Sequence, residues 1–132
     1  MIPIVFINCR YDLFVDKIID GRKAFETREK DTLRSLTNRK IYIAETGRGV
    51  PVIRCSATLY TPIEVKDRQT FQNCYRDLAC ISEGSQYDWN ERTKSKFCYM
   101  IDDVKPVKAF IPPEGKRHGR VWMEYEEVTD NG

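Results

Sequence analysis

Lys23, Glu26 and Arg28 stand within ten residues, DGRKAFETRE at positions 20–29, that crowd basic and acidic side chains around a single phenylalanine. A turn at Gly21 needs none of that charge. Two kinds of chemistry suit these residue types. A lysine whose pKa is depressed can act as base or nucleophile in amide hydrolysis, and desolvation together with Arg22 would push Lys23 that way, while a close Glu26 would push it back. For binding, no unusual pKa is needed. Arg28 can grip a phosphate bidentately or stack on a base, Lys23 supplies a point charge, and Tyr87 or Trp89 can stack on a base from a loop further along the chain. Arg117 and Arg120 would be outlying phosphate contacts.

Geometry limits both. On an extended segment Ala24, Glu26 and Arg28 share one face and Lys23, Phe25 and Thr27 the other. Lys23 meets Glu26 only if the chain bends after Gly21. The bland alternative is a structural ion-pair cluster of Arg22, Lys23, Glu26 and Arg28 that ties a loop to the fold. Elsewhere, Trp122 reads as core, and His118, the sole histidine, as an exposed loop residue in GKRHGR without the partners of a catalytic triad. GRGV at 47–50 is a turn, since the lysine and helix of a phosphate loop are missing. A single histidine and scattered cysteines do not make a metal site, and no cofactor is expected.

The elements that must position these residues are short. IPIVFIN reads as a buried strand, YDLFVDKIIDG as a helix closed by Gly21, KAFETR as extended and KDTLRSLTN as a loop or helical turn. RKIYIAETG and PVIRCSATLYT are neighbouring strands, and DRQTFQNCYRDL is a short helix with Phe71, Cys74, Tyr75 and Leu78 on one face. Residues 79–94 lack periodicity, and a loop of that length tends to be functional or mobile. SKFCYMIDDVKPVKAFI then gives two strands with a turn at Lys105 and Pro106, PPEGKRHGR a loop, and VWMEYEEV a last strand. About six strands and two helices make an α+β domain built on a strongly curved sheet or small barrel.

Bulk properties agree with one domain, 1–128, and a short tail, 129–132. A net charge of +2 does not by itself announce a nucleic-acid binder. Its distribution is more telling. Arg22, Lys23, Arg28, Lys30, Arg34, Arg39 and Lys40 outnumber the acids between them, and Lys105, Lys108, Lys116, Arg117 and Arg120 face only Glu114, while Glu124, Glu126, Glu127 and Asp130 mask both runs in the total. Five cysteines without a C-x-x-C pair read as reduced thiols and small core residues, with Cys80 in the long loop the exception. The opening MIPIVFINCRYD has neither a basic segment nor a long apolar run, so no signal peptide or membrane span is expected and the cytoplasm is the expected compartment.

The order strand, helix, then G-x-K-x-x-E-x-R (Gly21, Lys23, Glu26, Arg28), followed later by FCYMIDDVKPV and HGRVWMEY, resembles the ASCH domains of the PUA-like superfamily over nearly the whole chain. The resemblance implies a small mixed β-barrel with two or three flanking helices and a cleft beside the charged segment. Relatives in that superfamily include RNA-binding PUA domains and the modified-base readers of the YTH and EVE groups. Some ASCH members hydrolyse N4-acetylcytidine with a lysine of this motif, a threonine three residues later and a glutamate from mid-chain; others are associated with RNA binding or cleavage. Carried over, the lysine falls on Lys23, the glycine on Gly21 and the arginine on Arg28. The threonine's place is taken by Glu26, with Thr27 one position along, which argues against the amidohydrolase subgroup. The mid-chain glutamate falls in ACISEG, on Glu83.

Three readings follow. The first is an RNA or nucleotide-like ligand bound in a cleft lined by Gly21, Arg22, Lys23, Glu26, Arg28 and the long loop. The second is a hydrolase on an acylated pyrimidine nucleoside or RNA, with Lys23 central and Glu26 or Glu83 assisting. The third is a protein-interaction module. A monomer or weak dimer without membrane contact is expected.

Overall fold

A computed structural model describes residues 1–126; the tail at 129–132, the boundary at 128 and the end of the expected last strand lie outside the described residues. The expected first strand is β1 (Ile4–Asn8), and the helix after it is α1 (Phe14–Ile19). The helix is short and has no side-chain cap, but Phe14, Val15 and Ile18 are buried, so packing holds what propensity alone would not. β2 (Phe25–Arg28), a 3₁₀ turn (Arg34–Leu36), β3 (Lys40–Thr46) and β4 (Val52–Leu59) follow as expected. β5 (Ile63–Val65) was not foreseen: it is three residues long and leaves Ile63 and Glu64 exposed, so it carries no alternation.

The strands form one mixed sheet in the order β2-β6-β4-β3-β1-β8-β7, an open path with β5 branching from β6. β1 and β3 pair in parallel, so the chain between them must cross over, and α1 and β2 lie in that crossover. The result is the expected small mixed β fold with flanking helices, although among the described residues its ladder is not closed and it holds eight strands instead of about six.

Alternation sorts the core onto two faces. Val5 and Ile7 of β1 and Ile41 and Ile43 of β3 pack in one cluster with α1, whereas Ile4, Phe6, Tyr42 and Ala44 pack in a second. On β4 the parity switches: Ile53 joins the second cluster and Cys55, Ala57 and Leu59 the first. The cause is a register shift that leaves Arg54 unpaired between Ile53 and Cys55, and one extra residue flips every later side chain to the other face. Arg54 uses the bulge to reach Asp16 at 2.8 Å and Glu45 at 3.4 Å.

Three expectations need correction. The two strands with a turn at Lys105 and Pro106 are one strand, β6 (Lys96–Phe110), with Pro106 opposite Cys55. Its first part, residues 96–100, pairs with β2 and β5, and from Ile101 onward it pairs with β4; Asp103, with φ 50°, lies within that second part, beside the register shift between Ser56 and Thr58. Pro106 is tolerated beside the irregular pairing at Ile53 and Cys55, where regular ladder bonds are already interrupted. The helix after Asp67 starts as α2 (Arg68–Thr70) and widens into a π-helical stretch (Phe71–Tyr75) in which Arg76 N–H donates to the Phe71 carbonyl at 2.9 Å. The wider turn carries the inward face along Phe71 and Tyr75 to Ala79 and leaves Cys74 and Leu78 exposed. Lastly, the PPEGKRHGR loop contains β7 (Arg117–His118), paired with β8 (Trp122–Met123). His118 is half-buried, stacked on Trp122 at 3.9 Å and 3.1 Å from Glu124, so it is a strand residue and not a free loop histidine.

All five cysteines are free thiols; Cys9, Cys55 and Cys98 are buried, Cys80 is half-buried, and Cys74 joins it as a second exception. Among the described residues no helix is long and apolar enough to cross a membrane.

Candidate nucleotide site

The condition set by the sequence, a bend after Gly21, is met. Gly21 has φ 86°, a left-handed conformation that ends α1, and its N–H donates to the Ile18 carbonyl. Lys23 N–H then turns back to the Lys17 carbonyl at 2.9 Å, so Lys23 precedes β2 instead of alternating within it. Its side chain runs inward and only 3% of the residue is exposed. Nζ donates to the Ala79 carbonyl at 2.6 Å, lies 4.6 Å from the centre of the Phe14 ring and stands 4.0 Å from Glu26 Oε1.

Glu26 is the hub. Buried on β2, it receives the Thr27 N–H on Oε1 at 3.0 Å and the Arg28 guanidinium on Oε2 at 3.4 Å. Arg28 also donates to the Phe6 carbonyl at 3.1 Å, which ties β2 to β1 across the site. Burial pushes the Lys23 ammonium below its ordinary 10.5; Glu26 resists the shift and Arg28 adds to it. The cationic neighbour is thus Arg28. Arg22 instead folds onto Asp20 at 2.7 Å and stays exposed.

These residues open onto a cavity of about 500 Å³ lined also by Phe6, Asn8, Phe14, Thr27, Glu29, Gln86, Tyr87, Asn90, Lys96 and Arg120. The cavity lies in the volume range of small-molecule sites. Tyr87 meets Phe14 edge to face with ring centres 5.2 Å apart. The long loop that carries Tyr87 is ordered by one buried carboxylate: Asp88 accepts from Gly84 and Trp89 N–H, both at 2.8 Å, and lies 3.5 Å from Arg76. The loop expected to be functional or mobile is therefore a wall of the cavity.

Lys23, Glu26, Arg28, Tyr87 and Arg120 come together there; Gly21, Arg22, Glu83, Trp89 and Arg117 are not among the lining residues. Gly21 acts through the turn alone. Glu83 is exposed, since the loop turns around Asp88 and leaves it outward. Trp89, proposed as a stacking surface, is half-buried with its ring 6.0 Å from Phe71, in a third cluster made by Val65, Phe71, Ala79, Ile81 and Cys98. Arg117 lies over the Phe6 ring at 5.0 Å, exposed beside the site.

Sequence reasoning missed Lys96, which is 3% exposed, and whose Nζ donates to the Tyr87 carbonyl at 2.8 Å. A signal existed. Lys96 shares strand parity with buried Cys98, so the alternation of β6 already put it on the inner face.

The lysine burial has a measurable consequence. Because the unfolded chain keeps Lys23 at its ordinary value, it binds the extra proton between the folded pKa and 10.5, and wild-type stability should gain with rising pH in that window relative to Lys23→Met. Cys55 and Cys98, both pushed up to about 11 by burial, act in the opposite sense, and because the Lys23 charge holds Cys98 down, the difference between the two proteins reports Lys23 together with its effect on Cys98. Denaturant unfolding of the two proteins across that window checks it; parallel pH profiles would contradict the burial effect.

Comparison with solved structures defines the class of fold. The chain matches the crystal structure of ASCH from Zymomonas mobilis at 23% identity with a TM-score of 0.67, over 83% of this chain and 72% of that one. A serine-to-alanine variant of the same protein matches at 24% identity and a TM-score of 0.67, over 83% and 72% of the two chains. A tyrosine-to-phenylalanine variant matches at 23% and 0.67, over 83% and 74%. No family model matches the sequence, and no curated protein does. The chain carries the ASCH domain fold.

Proposed function

We propose that the chain binds RNA through a nucleotide-sized part of it, held in the cavity beside the G-x-K-x-x-E-x-R segment. The observation that carries this reading is the cavity itself: a volume of about 500 Å³ in which Arg28, Arg120 and two buried lysines meet the aromatic rings of Phe14 and Tyr87. Cations suit phosphate, rings suit a base, and Glu26 offers an acceptor to base N–H groups. Arg117 extends the basic rim.

Single-stranded RNA titrated at low and moderate salt tests it. Affinity should fall steeply with salt, and Arg28→Ala should weaken binding about tenfold, the worth of one charge-assisted contact, while the domain stays folded. Salt-insensitive binding, or none, would overturn the reading.

A hydrolytic reading is favoured by one observation, the depressed pKa of Lys23 inside the cavity. A lysine held closer to neutrality can take a proton from water or attack a carbonyl. Its amine already donates to the Ala79 carbonyl, which would orient the lone pair once Nζ is deprotonated. Release of cytidine from N4-acetylcytidine, or of fragments from RNA, should then vanish in Lys23→Ala; activity retained in that variant would exclude the mechanism.

A further inference from the structure

Lys96 stands outside the motif and has an ammonium that the fold leaves incompletely satisfied. It is the first residue of β6, its side chain is 4% exposed, and it lines the same cavity as Lys23. An ammonium carries three donors. The Tyr87 carbonyl takes one at 2.8 Å. Glu29 Oε1 is 3.7 Å away on a side chain 59% exposed, a loose ion pair at the rim, and the Phe71 ring offers only its face at 5.5 Å. Asp88 also acts on this ammonium, but its carboxylate is engaged by Arg76 and by the Gly84 and Trp89 N–H groups; burying a cation with so loose a set of counter-ions is costly, and an anion in the cavity would relieve that cost.

The charge of the cavity points the same way. Its cations are Lys23, Arg28, Lys96 and Arg120, and its carboxylates Glu26 and Glu29, so four positive groups face two negative ones. Glu26 is already engaged by Arg28 and the Thr27 N–H. The cationic groups outnumber the acidic ones while burial disfavours the charge on Lys23 and Lys96, so a phosphate monoester, carrying about −1.5 to −2 at neutral pH, would suit the surplus and favour the protonated lysines.

We propose that Lys96 is a phosphate-binding residue of this cavity and that its ligand is a nucleotide bearing a terminal phosphate, not a neutral nucleoside. The inference rests on the reading of the cavity as a nucleotide site. Tyr87 joins the two halves: its ring packs on Phe14, and its carbonyl holds Lys96. Phosphate at Lys96, at the start of β6, and a base near Tyr87, on the loop that leads into it, would be held side by side.

Calorimetric titration with the four ribonucleosides and their 5′- and 3′-monophosphates, against wild type, Lys96→Met and Lys96→Arg, tests it. In the wild type at least one monophosphate should bind about tenfold or more tighter than its nucleoside, the range expected for charge-assisted hydrogen bonds. The preference should fall to near one in Lys96→Met and survive in Lys96→Arg. Equal binding of nucleoside and nucleotide, or a preference that persists in Lys96→Met, would overturn the role of Lys96 while leaving the nucleotide site standing. Equal loss of both ligands in Lys96→Met would also overturn it, because the lysine would then only hold the Tyr87 loop. No binding of any of them to the wild type would overturn both the site and the inference.

Discussion

Glu26→Ala should destabilise the domain by about 3 kcal/mol, the low end of what breaking a buried ion pair from one side costs. The low end applies because its contacts are long: Arg28 at 3.4 Å and Lys23 at 4.0 Å. Removing the carboxylate strands Lys23, which cannot swing to water, whereas the partly exposed Arg28 keeps the Phe6 carbonyl. Lys23 would lose the charge that opposes its pKa depression and shift further toward the neutral amine. The paired replacement Glu26→Leu with Lys23→Met should therefore recover most of the loss, since an apolar pair of similar volume leaves no charge uncompensated. Urea unfolding of Glu26→Leu, Lys23→Met and the double variant measures the coupling. Additive losses would show that the pair is not coupled.

The second large effect lies beneath the loop wall. Phe71 is fully buried, packs against Trp89 and underlies the Lys96 ammonium at 5.5 Å. Phe71→Ala should cost about 3 to 4 kcal/mol, from the lost transfer energy and the cavity left behind, and lower the melting temperature by roughly 12 °C. The same change should weaken any ligand of the cavity, because the third cluster supports the loop that carries Tyr87. Thermal melting and titration on one sample test both parts. A small change in melting temperature would mean that the loop collapses onto the void without strain.

The strands that read clearly are those where one rule dominates. β1 and β3 alternate or run apolar between clear breakers, and their burial follows that pattern. What did not read depends on partners far along the chain. Pro106 signals a turn locally, but β6 runs through it: its pairing passes from β2 and β5 to β4 between Met100 and Ile101, and its left-handed residue is Asp103. The π-helical step at Phe71–Tyr75 shifts the buried face with no marker in composition. Within the site, Lys23, Glu26 and Arg28 were legible because Gly21 and the charge pattern are local. Trp89 and Glu83 lie off the cavity lining, Trp89 because its ring turns to Phe71 behind polar neighbours and Glu83 because chain order cannot say which loop residues face inward.

The central claim is that ligand enters the cavity beside Gly21–Arg28. Amide chemical-shift mapping during titration with a short single-stranded RNA tests it most directly. The account predicts saturable shifts at Lys23, Glu26, Arg28, Tyr87, Asn90 and Lys96, weakened together by Arg28→Ala. Shifts centred instead on the hollow of about 640 Å³ lined by Phe110, Ile111, Pro113 and Tyr125, with the residues of the first cavity unmoved, would contradict it.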